Sequence, residues 1–499
     1  MTHAVLIVLI SLLIVLILHV IFLLVLLKSK SKEKLKQADH PILIVYASQS
    51  GQAENYAVQT AQQLSASGHV VQTLNIADFK ADLFKNDQRI LWLVSTYGEG
   101  DAPDTARQFI RNVMTKSFEL NDIQYAILAF GDRHYLNFCE FGKRLDAWLA
   151  DNNAQAWFPM VCVDQLSQID LQSWQSQLNQ VLDQSETDMI ALEQQPFQKV
   201  ILSERHLLNR GSLGHPMFHL VLTKLNELNK FDGLNWKSGD ILEIQCANTK
   251  TQIEDFITHF QLVDQIDIQQ INIFEKLQFK NLRTFDNSQN IEQWLEQAQN
   301  LAIREYSIAS IPTQNQLELV VRQEINEDGL GLGSGYLTES LAIGDQLDCR
   351  IRSNSVFHLV ENDSPIILIG NGSGIAGLMS HIRQRELLGL HKNWLIYGER
   401  QQSVDRIFEN QLSLWQQHGV LSEIDLAFSR DQNTQKYVQD CLIAKSTQLK
   451  AWLEQGASIY ICGSLHGMAQ GVETALIEIL GQRQFEQLIE QKRYLRDVY

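Results

Sequence analysis

The sequence predicts a multidomain chain: an apolar transmembrane helix, an α/β domain, an antiparallel β-barrel with a helical insert, and a second α/β domain. Three observations carry that expectation. The run from Ala4 to Leu27 is almost wholly aliphatic. Two separate regions contain short apolar strands that each run into a glycine- or hydroxyl-rich loop. Between them lie short strand-like segments divided by turn signals.

A chain of 499 residues is too long for one core and divides into about three domains. Net charge is −17, which disfavours nucleic acid as a partner, because that requires a basic face. The acidity supports solubility or docking of a basic redox partner. Cys139, Cys162, Cys246, Cys349, Cys441 and Cys462 form no CxxC pair. A disulfide framework, a zinc site and an iron–sulfur cluster are therefore not expected, and no metal is. A reducing compartment fits.

Residues 4–27 would span ~36 Å as a helix, enough to cross a bilayer. No basic residue precedes the run and no small-residue cleavage site follows it, so a retained anchor is expected over a signal peptide. Lys28, Lys30, Lys32, Lys34 and Lys36 follow at once, in a basic juxtamembrane linker over 28–40. Positive charge stays on the cytoplasmic side. The expectation is a single-pass protein of the inner membrane, amino terminus outside and catalytic domains cytoplasmic.

The first α/β domain is expected over 41–185. Ile42–Tyr46 reads as a buried strand, and Ser48, Gln49, Ser50, Gly51, Gln52 and Ala53 form the loop into a helix. Backbone N–H groups and hydroxyls at a helix start make an anion site fit for one phosphate. The loop lacks a GK[ST] ending, so a nucleoside triphosphatase is not expected. Arg89–Val94 ends in Ser95, Thr96, Tyr97, Gly98, Glu99 and Gly100. Tyr125–Phe130 ends in Gly131 and Asp132 and continues through Tyr135 and Phe138 to Cys139. Loops at the carboxyl ends of parallel strands are where such sheets bind ligands. Tyr97 and Tyr135 can sandwich a flat ring.

These three loops, in this order, resemble the FMN-binding, flavodoxin-like domain of the diflavin reductase family, the family of sulfite reductase flavoproteins and NADPH–cytochrome P450 reductases. The resemblance implies FMN, with its phosphate on the first loop and its ring between Tyr97 and Tyr135. A polar hinge linker follows over 186–199.

The barrel is expected over 200–355. Met217–Thr223, Asp240–Gln245, Leu317–Arg322 and Asp345–Arg350 read as strands, and residues 252–300 show helical spacing. On a strand, Arg304 and Tyr306 share a face. A guanidinium can fork onto a pyrophosphate, a tyrosine ring can lie on a flavin, and the Ser307 hydroxyl can reach the reactive nitrogen. With the glycine-rich turn Gly331, Leu332, Gly333 and Ser334, this block resembles the FAD domain of the ferredoxin–NADP reductase family. The resemblance implies FAD on Arg304, Glu305, Tyr306, Ser307, Val320, Val321, that turn and Tyr499. The large helical insertion usual in diflavin reductases is much shortened between Asp240 and Arg304.

The last domain is expected over 356–499. Pro365–Ile369 runs into Gly370, Gly372, Ser373 and Gly374, a turn into a helix. Ser429 and Arg430, at a strand end, suit a 2′-phosphate and hence NADPH. Lys436, Tyr437 and Gln439 continue the family pattern, with Lys436 displaced by one place from the usual lysine. Cys462 also belongs to the expected NADPH site. The resemblance makes Ser307, Cys462 and Asp497 the catalytic group at the nicotinamide, with Tyr499 covering the flavin until it moves. Asn371, Gly377, Ser464 and Gly471 depart from the usual residues and point to a membrane-bound bacterial branch.

The expected activity is an NADPH-dependent diflavin reductase passing electrons from FAD to FMN to a haem protein or ferric chelate. The flavoprotein component of an assimilatory sulfite reductase is the alternative within that chemistry. A flavin-binding sensor or scaffold is the alternative from another class.

Overall fold

A computed structural model describes residues 41–49, 51–97, 100–133, 135–182, 196–224, 234–262, 273–286, 288–327, 329–431 and 436–499. The chain divides into two compact units, 1–194 and 195–499.

The first unit is a parallel sheet between helices. Its strands are β1 (Ile42–Ala47), β2 (Val71–Asn75), β3 (Arg89–Ser95), β4 (Gln124–Gly131), β5 (Gln155–Ala156) and β6 (Val161–Asp164). The order is β2-β1-β3-β4-β5, with β6 also on β4. This is the doubly wound arrangement whose order reverses between β1 and β3, and the crevice opens there. The central strands are buried on both faces, as their unbroken apolar runs require. Helices Gln52–Ala66 and Gln168–Val181 pack on one face around Tyr56, Leu128 and Trp174. Helix Glu140–Asp151 packs on the other with Trp92 and Phe109.

The second unit begins with an antiparallel barrel. Its strands are β7 (Gln198–Leu207), β8 (Met217–Lys224), β9 (Ile241–Gln245), β10 (Arg304–Ser307), β11 (Leu317–Arg322), a short hairpin β12 (Ile325–Asn326) and β13 (Gly329–Leu330), and β14 (Gln346–Arg352). The sheet order is β10-β9-β14-β7-β8-β11. A bridge between Ile308 and Leu319 closes β10 onto β11. Gln198 and Lys199, expected in the linker, already lie in β7, where Lys199 pairs with Asp348. Asp240 is a turn residue rather than a strand residue, accepting from the Lys237 N–H at 2.7 Å. The insert forms helices Lys250–His259, Ile273–Leu277 and Ile291–Gln297, with an aromatic core of Phe256, Phe285 and Trp294.

A five-stranded parallel sheet completes the unit: β15 (Ile366–Asn371), β16 (Asn393–Glu399), β17 (Glu423–Phe428), β18 (Ser458–Gly463) and β19 (Tyr494–Val498), in the order β17-β16-β15-β18-β19. The helix Ile375–Leu387 leaves the β15 turn and lies against the barrel. There Arg383 reaches buried Glu318 at 2.8 Å, and His219 reaches the same carboxylate at 3.0 Å. Burial works to raise the pKa of Glu318. The bond from His219, the charge of Arg383 and the bond from Gln316 outweigh it, and the carboxyl is held at about 2. A depressed pKa stabilises the fold above the unfolded value of ~4.3 and loses that contribution as pH falls through the folded value. The loss is on the order of 3 kcal/mol. Thermal unfolding between pH 5 and 2 is expected to show this acid slope, and Glu318→Gln is expected to flatten it.

The anchor expected at 4–27 and the basic linker at 28–40 lie outside the described residues. Among the described residues, no helix is long and apolar enough to cross a membrane. The single-pass, inner-membrane localisation is corrected accordingly: it rested on the hydropathy of the amino-terminal run and the lysines that follow it, and no described helix supports it.

Candidate active site

Parallel pairing of β15, β18 and β19 places Gly370 beside Cys462 and Cys462 beside Asp497. The last barrel residue of β10, Ser307, meets that edge. Its hydroxyl donates to Asp497 Oδ2 at 2.7 Å. Cys462 Sγ lies 3.9 Å from Ser307 Oγ and 3.7 Å from Asp497 Oδ2. A hydroxyl, a thiol and a carboxylate from three strands thus converge at one point. Burial, then the charge of Asp497, pushes the Cys462 thiol well up, so it stays protonated. Burial also raises the Asp497 carboxyl, against the hydrogen bond from Ser307 and the charge of Arg352. The group can donate, accept and hold a proton without water.

The glycine turn folds onto this edge. A Cβ on Gly374 would stand 2.1 Å from the Cys462 carbonyl oxygen, so only glycine fits there. The Tyr499 hydroxyl lies 3.0 Å from Ser373 Oγ. Its backbone is pinned on both sides, to Gly463 and Leu465. The terminal ring is therefore held on the turn by its hydroxyl, and the residue is exposed.

In the barrel, a Cβ on Gly333 would lie 2.5 Å from both Arg304 Cγ and Tyr306 Oη. The Gly331–Ser334 turn therefore sits directly on the Arg304–Tyr306 face, a cradle of bare backbone beside a guanidinium and a ring. That donor set fits a flavin pyrophosphate. Ser334 Oγ is committed to the Glu324 N–H at 2.9 Å, and Glu305 to Arg352 at 2.7 Å. Val320 and Val321 depart from expectation. Both side chains are buried in apolar cores, Val320 with Phe357 and Ile375 and Val321 inside the barrel. A continuous apolar strand with both faces covered leaves only their backbone for a ligand.

In the first unit, Ser48 is buried and its Oγ finds no partner in the structure. An orphaned hydroxyl in front of the helix Gln52–Ala66 fits a phosphate. Gly51 turns the chain there at φ 80°. Gln49 ties this loop to the next, donating to Asp104 Oδ2 at 3.2 Å and accepting from the Asp104 N–H at 2.8 Å. Tyr97 opens a tight loop closed by paired bonds with Asp101 at 2.8 Å. A Cβ on Gly100 would meet Asn137 at 2.7 Å, so the Tyr97 and Tyr135 loops touch. Phe138 carries the Arg133 guanidinium over its ring. Cys139 departs from expectation: it is buried, at φ 55°, and its thiol donates to the Ala129 carbonyl at 3.3 Å. Ser50, Gly98 and Glu99 lie outside the described residues.

Ser429 and Arg430 follow β17, with the Ser429 N–H on the Glu399 carbonyl and the Arg430 N–H on the Arg400 carbonyl. Arg430 and Lys436 are exposed. Lys436 and Tyr437 donate their backbone N–H groups to Asp440 at 2.9 Å. Gly471 leaves the room that Gln439 occupies: a Cβ there would meet Gln439 Nε2 at 2.8 Å. Three further residues stand near these sites without having been expected. Thr105 Oγ1 is buried without a partner beside Asp104, Arg322 stands against the Gly370–Gly374 turn at Gly372, and Arg400 lies beside Arg322 at Gly214. Each is an ordinary residue in its local sequence, with no motif to mark it.

Residues 44–174 match the flavodoxin family and residues 368–474 match the oxidoreductase NAD-binding domain. The chain is similar to the sulfite reductase [NADPH] flavoprotein alpha-component of Vibrio vulnificus, at 27% identity over 92% of this chain and 87% of the relative. The proteins of the same name from Bacillus subtilis and Baumannia cicadellinicola are 27% and 29% identical, over 92% of the chain and 89% and 90% of their own lengths. The Vibrio vulnificus alignment runs over 543 positions, more than the 499 residues of this chain, so the relative carries segments that this chain lacks. Together these findings support a place among the diflavin reductases. The chain is an NADPH-dependent flavoprotein reductase, and its cofactors are FMN, FAD and NADPH.

Proposed function

We propose that this chain is the flavoprotein component of a sulfite-reductase-type system, passing electrons from NADPH through FAD and FMN, one at a time, to a haem protein. What carries the reading is the convergence of Ser307, Cys462 and Asp497 at one edge. That group belongs to a hydride-transfer site, and a sensor or scaffold would not require it. The likeness over most of both chains supports the sulfite-reductase role ahead of a free-standing reductase for ferric chelates.

In this reading residues 41–185 hold FMN, 200–355 hold FAD and 356–499 hold NADPH. Ser48 and the start of the helix at Gln52 take the FMN phosphate, and Tyr97 and Tyr135 the ring. Arg304, Tyr306 and the Gly331–Ser334 turn hold FAD. Gly370–Gly374 receive the NADPH pyrophosphate, and Ser429 and Arg430 the 2′-phosphate. When bound, the flavins supply the step from two-electron to one-electron chemistry. The chain orients them, excludes water at Cys462 and holds the proton shared by Ser307 and Asp497.

Two measurements test this. Mixed with NADPH and the haem component of a sulfite reductase, the full chain should drive reduction of sulfite to sulfide. Fast reduction of cytochrome c or ferric chelates with no sulfide formed would reject the haem component as acceptor. In cytochrome c reduction, Arg430→Ala should raise the KM for NADPH about 10–100-fold, the value of a charged hydrogen bond, and leave that for NADH unchanged.

A further inference from the structure

The nucleotide turn has a neighbour that the electron path does not use. Arg322, the last residue of β11, reaches across from the barrel. A Cβ on Gly372, which turns at φ +58°, would lie 3.3 Å from its Nη2. The guanidinium therefore rests against the turn read as the pyrophosphate site. Its Nη2 also lies 2.6 Å from Oε1 of Glu399, the last residue of β16. The Glu399 side chain is almost wholly buried, at 2% exposure. Tyr397, two residues earlier on the same strand, donates to the Gly372 carbonyl at 2.7 Å and lies 3.1 Å from the same Oε1. Arg400 is the second cation nearby. A Cβ on Gly214 would meet Arg400 Nε at 3.0 Å and Arg322 Nη1 at 3.1 Å, and Arg400 donates to the Leu213 carbonyl at 3.2 Å.

A buried carboxylate beside a phosphate site works against binding. The incoming diphosphate is an anion and meets the field of Glu399. A guanidinium is also the side chain best suited to fork onto a diphosphate. It cannot give its full fork to both acids. We propose that Glu399 is an affinity-setting residue for the nicotinamide coenzyme: it competes with the coenzyme pyrophosphate for Arg322 and holds binding weaker than the cations alone would make it. The proposal rests on reading Gly370–Gly374 as the pyrophosphate site. Weakened binding has a use in a reductase, because oxidised coenzyme must leave before the next turnover.

The test is calorimetric binding to the full, flavin-loaded chain of two ligands: NADP+ and adenosine 2′-monophosphate, which lacks the pyrophosphate. Glu399→Gln keeps the size and the acceptor oxygen that Tyr397 and Arg322 use, and removes the charge. It is expected to tighten NADP+ about tenfold, the size of an ordinary coupling between sites, and to change adenosine 2′-monophosphate less than about twofold on the same scale. Adding Arg322→Gln to that variant is expected to abolish the gain. A variant damaged in its fold would bind both ligands more weakly. Unchanged or weaker NADP+ binding by Glu399→Gln overturns the proposal. So does an equal gain for both ligands, or a gain that survives loss of Arg322. If the unaltered chain binds NADP+ no more tightly than adenosine 2′-monophosphate, the reading of the turn itself falls, and the proposal with it.

Discussion

Replacing Asp497 with Asn is expected to slow the reduction of FAD by NADPH about 10²–10³-fold, the usual cost of losing one positioned proton-handling group. Flavin content should not change. Asn has the size of Asp and can still accept from Ser307, so the fold has no reason to respond. Its amide oxygen can stand where Oδ2 accepts from both Ser307 and Cys462, but it carries no charge and cannot take up a proton. The pH profile separates this from a general defect. Burial raises the Asp497 carboxyl above its ordinary value. The unaltered chain should therefore lose rate on the acid side as that carboxylate takes a proton, above the usual carboxylate range. The variant should lack that limb. Anaerobic stopped-flow reduction across pH is the measurement, and a variant with the full rate and the same acid limb removes Asp497 from the site.

The second large effect is on the other flavin. Tyr97→Ala is expected to cost about 2 kcal/mol of ring contact, roughly 30-fold in FMN affinity. The purified variant should lose FMN and keep FAD. Reduction of ferricyanide by NADPH should persist, and reduction of cytochrome c should fall with the missing FMN. Tyr97 belongs to a compact unit of its own, in a loop pinned by its bonds with Asp101. Its loss leaves the Gly333 cradle around Arg304 and Tyr306 untouched. If FAD were lost in place of FMN, the two flavin assignments would be reversed.

Much of the fold was legible because the buried strands announce themselves. Residues 42–47, 90–94 and 125–130 are unbroken apolar runs, and each is covered on both faces. The edges were not legible. β2 is Val-Gln-Thr-Leu-Asn with much of its length exposed, and β19 has one buried residue in five. Neither has the unbroken apolar run that marks a buried strand. β19 matters most, since only its parallel register with β18 brings Asp497 to Cys462. The family resemblance named the three residues of the proposed hydride site, while the 2.7 Å bond between Ser307 and Asp497 spans 190 positions and could not be read from spacing.

The same limit holds at single residues. Val320 and Val321 are given to FAD by the resemblance alone, and their run, buried on both sides, fills two cores and leaves only backbone for a ligand. Cys139 closes a loop of site residues in sequence, yet its left-handed backbone turns the thiol away into the sheet. Arg322 and Glu399 end two strands of different sheets, and neither is unusual until the fold brings them together. The amino-terminal run shows the converse. Its hydropathy and the lysines behind it suggested a location that no described helix supports.

The central claim is that one chain holds two different flavins and feeds them from NADPH. It is tested by releasing and quantifying the flavins of the full chain and titrating the same sample anaerobically with NADPH. FMN and FAD should each be present at about one per chain, and full reduction should take about two equivalents of NADPH, two electrons for each flavin. A single flavin, or one flavin that NADPH leaves oxidised, would contradict it.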